Sequence, residues 1–144
     1  MDHILFEVCC GSAEDALAAY HGGADRVELN SDLFHGGLTP TLGALRTIKK
    51  HAPNFPVMCM VRPREGGFCY SEAEVEAMCR DIDTCRRMGL HGIVIGALTT
   101  EGDIDVAACR QMMEAAGDMS VTFHRAFDVC RRPMEALEQI IALG

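Results

Sequence analysis

The sequence predicts an α/β fold built from parallel strand–helix repeats. Five short β-prone runs alternate with longer segments in which apolar residues recur at helical spacing. These runs recur roughly every 25–30 residues, an interval typical of right-handed βαβ units. The five runs are residues 4–9, 26–30, 57–62, 92–97 and 120–124. This pattern alone does not distinguish an open, doubly wound sheet from a barrel.

Each strand-like run is followed by a predicted helix with recognisable boundary residues. The signals for helix starts are Ser12 with Asp15, Ser71 with Glu74, Asp105 and Pro133. The two serine pairs have capping-box spacing, aspartate is a common N-cap, and proline suits a first helical turn. Apolar residues of the third and fourth helices recur at three- and four-residue steps. We therefore interpret Cys79, Cys85 and Cys109 as small core residues.

The predicted strands have one aliphatic face and one polar face. Because side chains alternate along a strand, Val27 and Leu29 lie opposite Glu28. The polar faces together carry Glu7, Glu28, Arg62 and His124. Charged side chains on a covered sheet are costly unless they are paired or bind a ligand. Two interpretations remain: an internal ion-pair network, for instance Glu28 with Arg62, or a ligand cavity at the carboxyl ends of the strands.

The composition excludes several classes of function. The 144 residues are enough for one domain, and 13 basic against 21 acidic side chains give a net charge of −8, which argues against nucleic acid as a partner. No apolar run is long enough to span a membrane, and no glycine-rich phosphate loop follows a strand, so we expect no membrane association and no nucleotide cofactor. Eight cysteines without Cys-x-x-Cys spacing, and no secretory signal, predict a cytosolic protein.

Five motifs at the predicted strand ends together point to one known family. They are EVC at 7–9, GADRVEL at 23–29, GGLTP at 36–40, RPR at 62–64 and TFHRAFD at 122–128. In this order and spacing, over essentially the whole chain, they resemble the CutC family, which is named for copper homeostasis. The resemblance implies a TIM-type barrel in the cytosol and a role in handling copper.

The chain departs from the family pattern in two places. Many members have a cysteine where this chain has Asn30, and that thiol is one of two that the resemblance implies for Cu(I). The other corresponds to Cys9. The segment after Arg64 reads Glu-Gly-Gly-Phe, where relatives often have Gly-Gly-Asp-Phe. The first difference weakens a two-cysteine copper site, and the second adjusts a loop.

The chain is also shorter than the family barrel, which resembles eight βα units. Residues 1–144 hold about five units in a single CutC-like domain, truncated before a sixth strand. Five units cannot close an eight-stranded barrel, and the first and fifth strands would then be open edges. We therefore expect an incomplete barrel that self-associates or is completed by a partner.

Copper binding is the first functional hypothesis. Cu(I) prefers soft sulfur ligands, and Cys9 lies on the polar face with Cys10 next to it. Met58, Met60 and His124 are further donors on that face. Adjacent strand residues point in opposite directions, so the alternative is that Cys10 packs under a helix and the methionines fill the barrel floor.

An enzyme acting on a small anionic metabolite is the alternative hypothesis. Its acid–base candidates are Glu7, Glu28 and His124, and its ligand-binding candidates are Asn30, Arg62, Arg64, Arg125 and Asp128. Guanidinium groups bind carboxylate or phosphate in bidentate fashion, and barrel enzymes collect such groups from several strand ends. These groups fit isomerases, aldol-type lyases and hydrolases equally.

Overall fold

Five short parallel strands alternate with five α-helices along residues 4–144, the part of the chain that the computed structural model describes. The strands are β1 (Glu7–Cys10), β2 (Arg26–Leu29), β3 (Val57–Met60), β4 (Gly92–Ile95) and β5 (Ser120–Phe123). The helices are α1 (Ala13–His21), α2 (Leu42–His51), α3 (Glu72–Arg87), α4 (Val106–Ala116) and α5 (Pro133–Leu143). Two short 3₁₀ turns, Leu33–His35 and Arg125–Val129, follow β2 and β5.

The strands form one sheet in the order β1-β2-β3-β4-β5, with every neighbouring pair parallel. In this register Cys9 of β1 is level with Glu28 of β2, and Glu28 is level with Met58 of β3. Sequential parallel order is the arrangement that consecutive right-handed βαβ units produce. The predicted α/β class with parallel repeats is confirmed.

The strands are shorter than the sequence predicts. The ladder begins at Glu7 rather than at residue 4, and β3 ends at Met60 rather than at residue 62. At the end of β3 the backbone N–H of Arg62 donates to Thr39 Oγ1 at 2.9 Å, because the chain has turned towards the β2–α2 loop. Asn30, Arg62 and His124 therefore lie just beyond the strands, in the loops, whereas Glu7 and Glu28 lie within β1 and β2.

The helix boundaries follow the predicted caps. Ser71 and Glu74 form a complete capping box: Glu74 N–H donates to Ser71 Oγ at 3.3 Å, and Ser71 N–H donates to Glu74 Oε2 at 2.8 Å. Ser12 Oγ and Asp105 Oδ1 also accept backbone N–H groups in their helices. Among the helices of residues 4–144, none combines the length and apolarity needed to cross a membrane.

The aliphatic strand faces pack against the helices, as predicted. Residues of the sheet such as Val27, Leu29 and Ile93 share one buried cluster with helix residues such as Met78 and Ile82. Cys85 and Cys109 are buried in that cluster, and Cys79 packs against it half-buried. On the opposite face of the sheet, a smaller buried cluster contains Met58, Met60 and Val94.

Candidate functional site

A cavity of about 630 Å³ opens where the inner face of the sheet meets the carboxyl ends of its strands. Its polar lining residues are Cys9, Glu28, Arg62, Thr122, His124, Arg125 and Asp128. Met60, Val94 and Phe68 form part of its apolar wall. The sequence predicted this convergence from the period-two alternation of the strands and from their shared polarity, since parallel strands end at the same edge of the sheet.

Arg62 is a buried cation held by backbone carbonyls. Its Nη1 donates to His35 O at 2.9 Å and Gly37 O at 3.1 Å, and its Nη2 donates to Gly66 O at 2.8 Å. The guanidinium carbon lies 5.0 Å from the centre of the Phe68 ring. Within residues 4–144 no carboxylate forms an ion pair with Arg62, so the pairing with Glu28 considered above is not formed. The Nε–H is buried and has no partner in this part of the chain.

His124 is a buried, neutral imidazole. Its Nδ1 accepts the backbone N–H of Ala126 at 3.2 Å, and its Nε2 is buried without a partner among the described residues. Burial, followed by the positive charge of Arg62, lowers the pKa of His124 from 6.5 to about 4. Because Nδ1 is an acceptor, the single ring proton is on Nε2. The side chain is therefore a neutral N–H donor at physiological pH.

Two glycines that the sequence analysis did not identify as site residues make room for this arrangement. A Cβ on Gly96 would lie 2.5 Å from His124 Cε1, so the ring sits directly on the backbone after β4. A Cβ on Gly37, where φ is +87°, would lie 2.3 Å from Asn30 Oδ1. Gly37 lies in the GGLTP motif at 36–40 and Gly96 lies in the fourth predicted strand, but neither position distinguishes a glycine that makes room for a side chain from a turn glycine.

Glu28, Asn30 and Cys9 form a hydrogen-bonded group on β1 and β2. Asn30 is buried, and its Nδ2 donates to Glu28 Oε1 at 3.1 Å and to Cys9 Sγ at 3.4 Å. The Cys9 thiol in turn donates to Glu28 Oε1 at 3.8 Å. Burial, then the Glu28 carboxylate and Glu7, raise the pKa of Cys9, so the thiol form is favoured.

Cys10 does not share a site with Cys9. It is buried on the helix-facing side of the sheet, where its thiol donates to Val8 O at 3.6 Å. Burial raises the pKa of Cys10 to about 11. The alternation of a strand separates the two thiols, as the second interpretation of the sequence held. No group of three His, Cys, Asp or Glu side chains suited to a metal ion occurs in residues 4–144.

Glu7 and Arg64 are not brought to the cavity. Glu7 lies at the start of β1 and pairs with Arg26, its neighbour in the ladder. Arg64 binds the Glu74 carboxylate through two nitrogens, one of them at 3.2 Å, and also donates to the carbonyls of Gly67 and Cys69. The carboxylate that Arg64 binds is therefore that of Glu74, not the ligand carboxylate that the sequence predicted.

Arg125 and Asp128 are exposed side chains at the mouth of the cavity. In the described ranges neither has an ion-pair partner. The guanidinium of Arg125 lies close to Gly36: a Cβ on that glycine would be 2.9 Å from Arg125 Nη1. An exposed guanidinium beside two buried donors gives the mouth a second cationic group.

Comparisons with known proteins identify the family that the chain resembles. The CutC family matches residues 4–144. The family protein CutC of Chromobacterium violaceum is 50% identical over 144 residues, covering 100% of this chain and 58% of that protein. That of Parabacteroides distasonis is 48% identical over 140 residues, covering 97% of this chain and 58% of that protein. The chain thus spans 58% of the length of these two relatives.

A solved structure of CutC from Streptococcus agalactiae, described as a proposed copper homeostasis protein, superposes with a TM-score of 0.90. The two are 32% identical, and the match covers 99% of this chain and 70% of the other. The predicted fold class, five parallel strand–helix repeats of an incomplete TIM-type barrel, is confirmed.

Proposed function

The chain belongs to the CutC family, and we propose that it serves copper homeostasis through a cavity that binds a small anionic molecule. The observation that carries the molecular part is a pair of buried donors without partners. Arg62 and His124 both line the cavity, and their buried Nε–H and Nε2–H groups meet no acceptor within residues 4–144. A buried donor left unpaired costs about 1–3 kcal/mol, so a ligand oxygen that reaches them is strongly favoured.

Two cationic groups of the lining, Arg62 and Arg125, come together near Gly36 and favour an anionic group there, while the carboxylates of Glu28 and Asp128 balance their charge over the cavity as a whole. The guanidinium of Arg62 is held by three backbone carbonyls, and no carboxylate of the described residues pairs with it. Arg125 adds a second charge at the mouth. The wall of Met60, Val94 and Phe68 suits a short apolar portion of the same ligand. Glu28 supplies a carboxylate for acid–base chemistry.

Inorganic phosphate and oxalate are suitable probes for the proposed anion site. We expect both to raise the Tm of the chain above that in sodium chloride of equal ionic strength, since a ligand that binds only the folded state stabilises it. The Arg125→Met variant should lose most of this shift, because it removes a positive charge at the mouth of the cavity. Arg125 is exposed, so its replacement leaves the core intact. Arg80→Met on the exposed face of α3 is the matched control. Equal Tm in both probes and in sodium chloride would refute the anion site.

Cu(I) as a cargo is the second candidate function. It is favoured by two sulfur atoms, because Cys9 and Met60 both line the cavity, and Cu(I) binds thiolate and thioether ligands. The raised pKa of Cys9 opposes thiolate formation, and Cys10 faces the other side of the sheet. This donor set fits weak binding by one thiol better than a closed metal centre.

A Cu(I) titration against a competing chromogenic chelator tests the copper candidate. We expect the wild-type chain to withdraw one equivalent that the Cys9→Ser variant does not. Cys69→Ser, which removes an exposed thiol outside the cavity, is the control. Equal uptake by the wild type and Cys9→Ser would exclude a Cys9 site.

We further propose a cytosolic location and self-association of the chain. Eight free thiols are typical of a reducing compartment. Apolar side chains are exposed along both edges of the sheet, among them Phe6 and Val8 beside β1 and Met134 and Ile141 on α5. Sedimentation velocity over a hundredfold concentration range should give a mass that rises with concentration, and a constant monomer mass would contradict self-association.

A further inference from the structure

We propose that the cavity removes a proton from a carbon next to a carbonyl group, with Glu28 as the proton acceptor and Arg62 and His124 as donors to the carbonyl oxygen. The substrate class is a small carbonyl compound that carries a carboxylate or a phosphate. This inference rests on the proposed anion site and assigns it a reaction.

Glu28 has the geometry of an oriented base. Its Oε1 accepts hydrogen bonds from Asn30 Nδ2 at 3.1 Å and from the Cys9 thiol at 3.8 Å. Its Oε2 has no hydrogen-bond partner in the described part of the chain. Hydrogen bonds therefore fix Oε1, while Oε2 accepts none from the described residues. Glu28 itself lines the cavity. A base of this kind acts without first breaking an internal ion pair.

His124 is arranged as a donor rather than as a second base. The N–H of Ala126 occupies Nδ1, and the ring is held between the backbone at Gly96 and the Phe68 ring, whose centre is 5.1 Å away. A ring flip would place the Cδ2–H group against the Ala126 N–H and lose this hydrogen bond. With a pKa of about 4 the imidazole is neutral, and a neutral imidazole N–H is an effective donor to an oxygen that gains charge.

The proposed step balances without a co-reactant. The C–H bond next to the carbonyl breaks, and its proton moves to Glu28 Oε2. The electron pair moves through the carbon–carbon bond onto the carbonyl oxygen, which becomes an enolate. Arg62 Nε–H and His124 Nε2–H stabilise that negative charge, which is larger in the transition state than in the substrate. The proton on Glu28 exchanges with solvent, and its return to the same carbon completes a hydrogen exchange.

The positions of the lysines disfavour one reaction class that the sequence analysis left open, the aldol-type lyases. An aldol lyase that forms a Schiff base needs a lysine in the cavity, but the two lysines of this sequence are Lys49 and Lys50. Both lie in the last turn of α2, where Lys49 Nζ donates to Pro53 O at 2.7 Å. Neither lines the cavity.

Hydrogen exchange into a carbonyl compound tests the proposal directly. The chain is incubated in D₂O with pyruvate, which carries a carboxylate, or with dihydroxyacetone phosphate, and loss of the C–H signals is followed by proton NMR. We expect exchange with at least one probe, at least 100-fold slower in Glu28→Gln and unchanged in Glu76→Gln, an exposed glutamate on α3. The probe that exchanges identifies the anionic group.

Two variants at His124 separate a donor from a base. His124→Gln keeps an N–H donor near the Nε2 position and should retain at least one tenth of the exchange rate, whereas His124→Phe should lose at least 100-fold. A His124→Gln variant that is as inactive as His124→Phe while still binding phosphate would overturn the donor role.

The binding probes keep this inference distinct from the proposed function. If Glu28→Gln still binds phosphate or oxalate and neither carbonyl probe exchanges with the wild type, the reaction is wrong and the anion site stands. If the wild type binds neither anion, both proposals fail together.

Discussion

The middle of the sheet and its two edges differ sharply in burial. All four residues of β3 and of β4 are buried, whereas β1 has three exposed residues of four and β5 has none that is buried. The strand pattern decides which face a side chain occupies, but neighbouring strands and helices decide whether water reaches it. Burial in this protein therefore depends on position in the sheet as well as on residue type.

The largest expected effect is the truncation of an aliphatic residue in the middle of the sheet, compared with the same kind of truncation at an edge. Ile93 in β4 is 0% exposed, and Ile93→Ala should lower the free energy of unfolding by about 3–4 kcal/mol through lost burial and a new cavity. Val8 in β1 is 41% exposed, and Val8→Ala should cost about 1 kcal/mol or less. Urea denaturation of both variants measures the difference. Equal losses would show that the edge is as well packed as the middle.

Arg62 and Arg64, both after β3, compare a buried arginine with a more exposed one, and the expected effects are smaller. Arg62→Met leaves three carbonyls without their buried donor and should cost about 2–3 kcal/mol. Arg64→Met breaks an ion pair whose arginine side chain is 41% exposed, and such pairs contribute about 0–1 kcal/mol. Chemical denaturation at neutral pH compares the two. A larger loss for Arg64→Met would contradict the role assigned to Arg62.

His124 lies at an edge strand but is buried by its loop, and its titration tests that burial. The folded pKa of about 4 is below the unfolded value of 6.5, so the unfolded chain binds more protons between them and stability falls as pH falls through this window. The loss between pH 7 and pH 5 should be about 2 kcal/mol.

The pH dependence of His124 is isolated by comparison with variants. Denaturation at pH 7 and pH 5 should show this loss in the wild type and in the exposed-site control His51→Gln, but not in His124→Gln. The same pH dependence in His124→Gln would mean that other groups cause it.

The smallest expected effect concerns thiol reactivity at an edge and in the middle. Cys9 in β1 is an exposed residue, but partial desolvation of its thiol and the neighbouring Glu28 raise its pKa. Cys59 in β3 is buried. Glu28→Gln removes a negative charge beside Cys9 and should increase its alkylation rate at pH 8 by ~3-fold. Cys59 should stay unlabelled in both proteins. Peptide mass spectrometry after iodoacetamide treatment follows each site, and an unchanged Cys9 rate would refute the coupling.

The faces and caps of the fold could be predicted because they depend on neighbours in sequence. Alternation placed Glu28 and His124 on one face, and three-residue spacing identified the box of Ser71 and Glu74. These signals need no knowledge of the sheet register.

The site could be predicted only in part because pairing across strands depends on register. Glu7 pairs with Arg26, 19 positions away in the sequence, and Arg64 pairs with Glu74, 10 positions away. Neither Glu7 nor Arg64 therefore lines the cavity. The carbonyl partners of Arg62 carry no side-chain signal, and Gly96 acts by having no side chain to contact His124. Such features follow from where the backbone passes.

The carbonyl cradle around Arg62 has a kinetic consequence. Its positive charge has no carboxylate counterpart among the described residues, yet the chain as a whole carries −8. A small anion is then repelled by the distant surface and attracted only within the cavity, over less than a Debye length of about 8–10 Å. Added salt screens the long-range repulsion first, so the association rate constant for phosphate should rise between low and physiological ionic strength, the reverse of ordinary electrostatic steering.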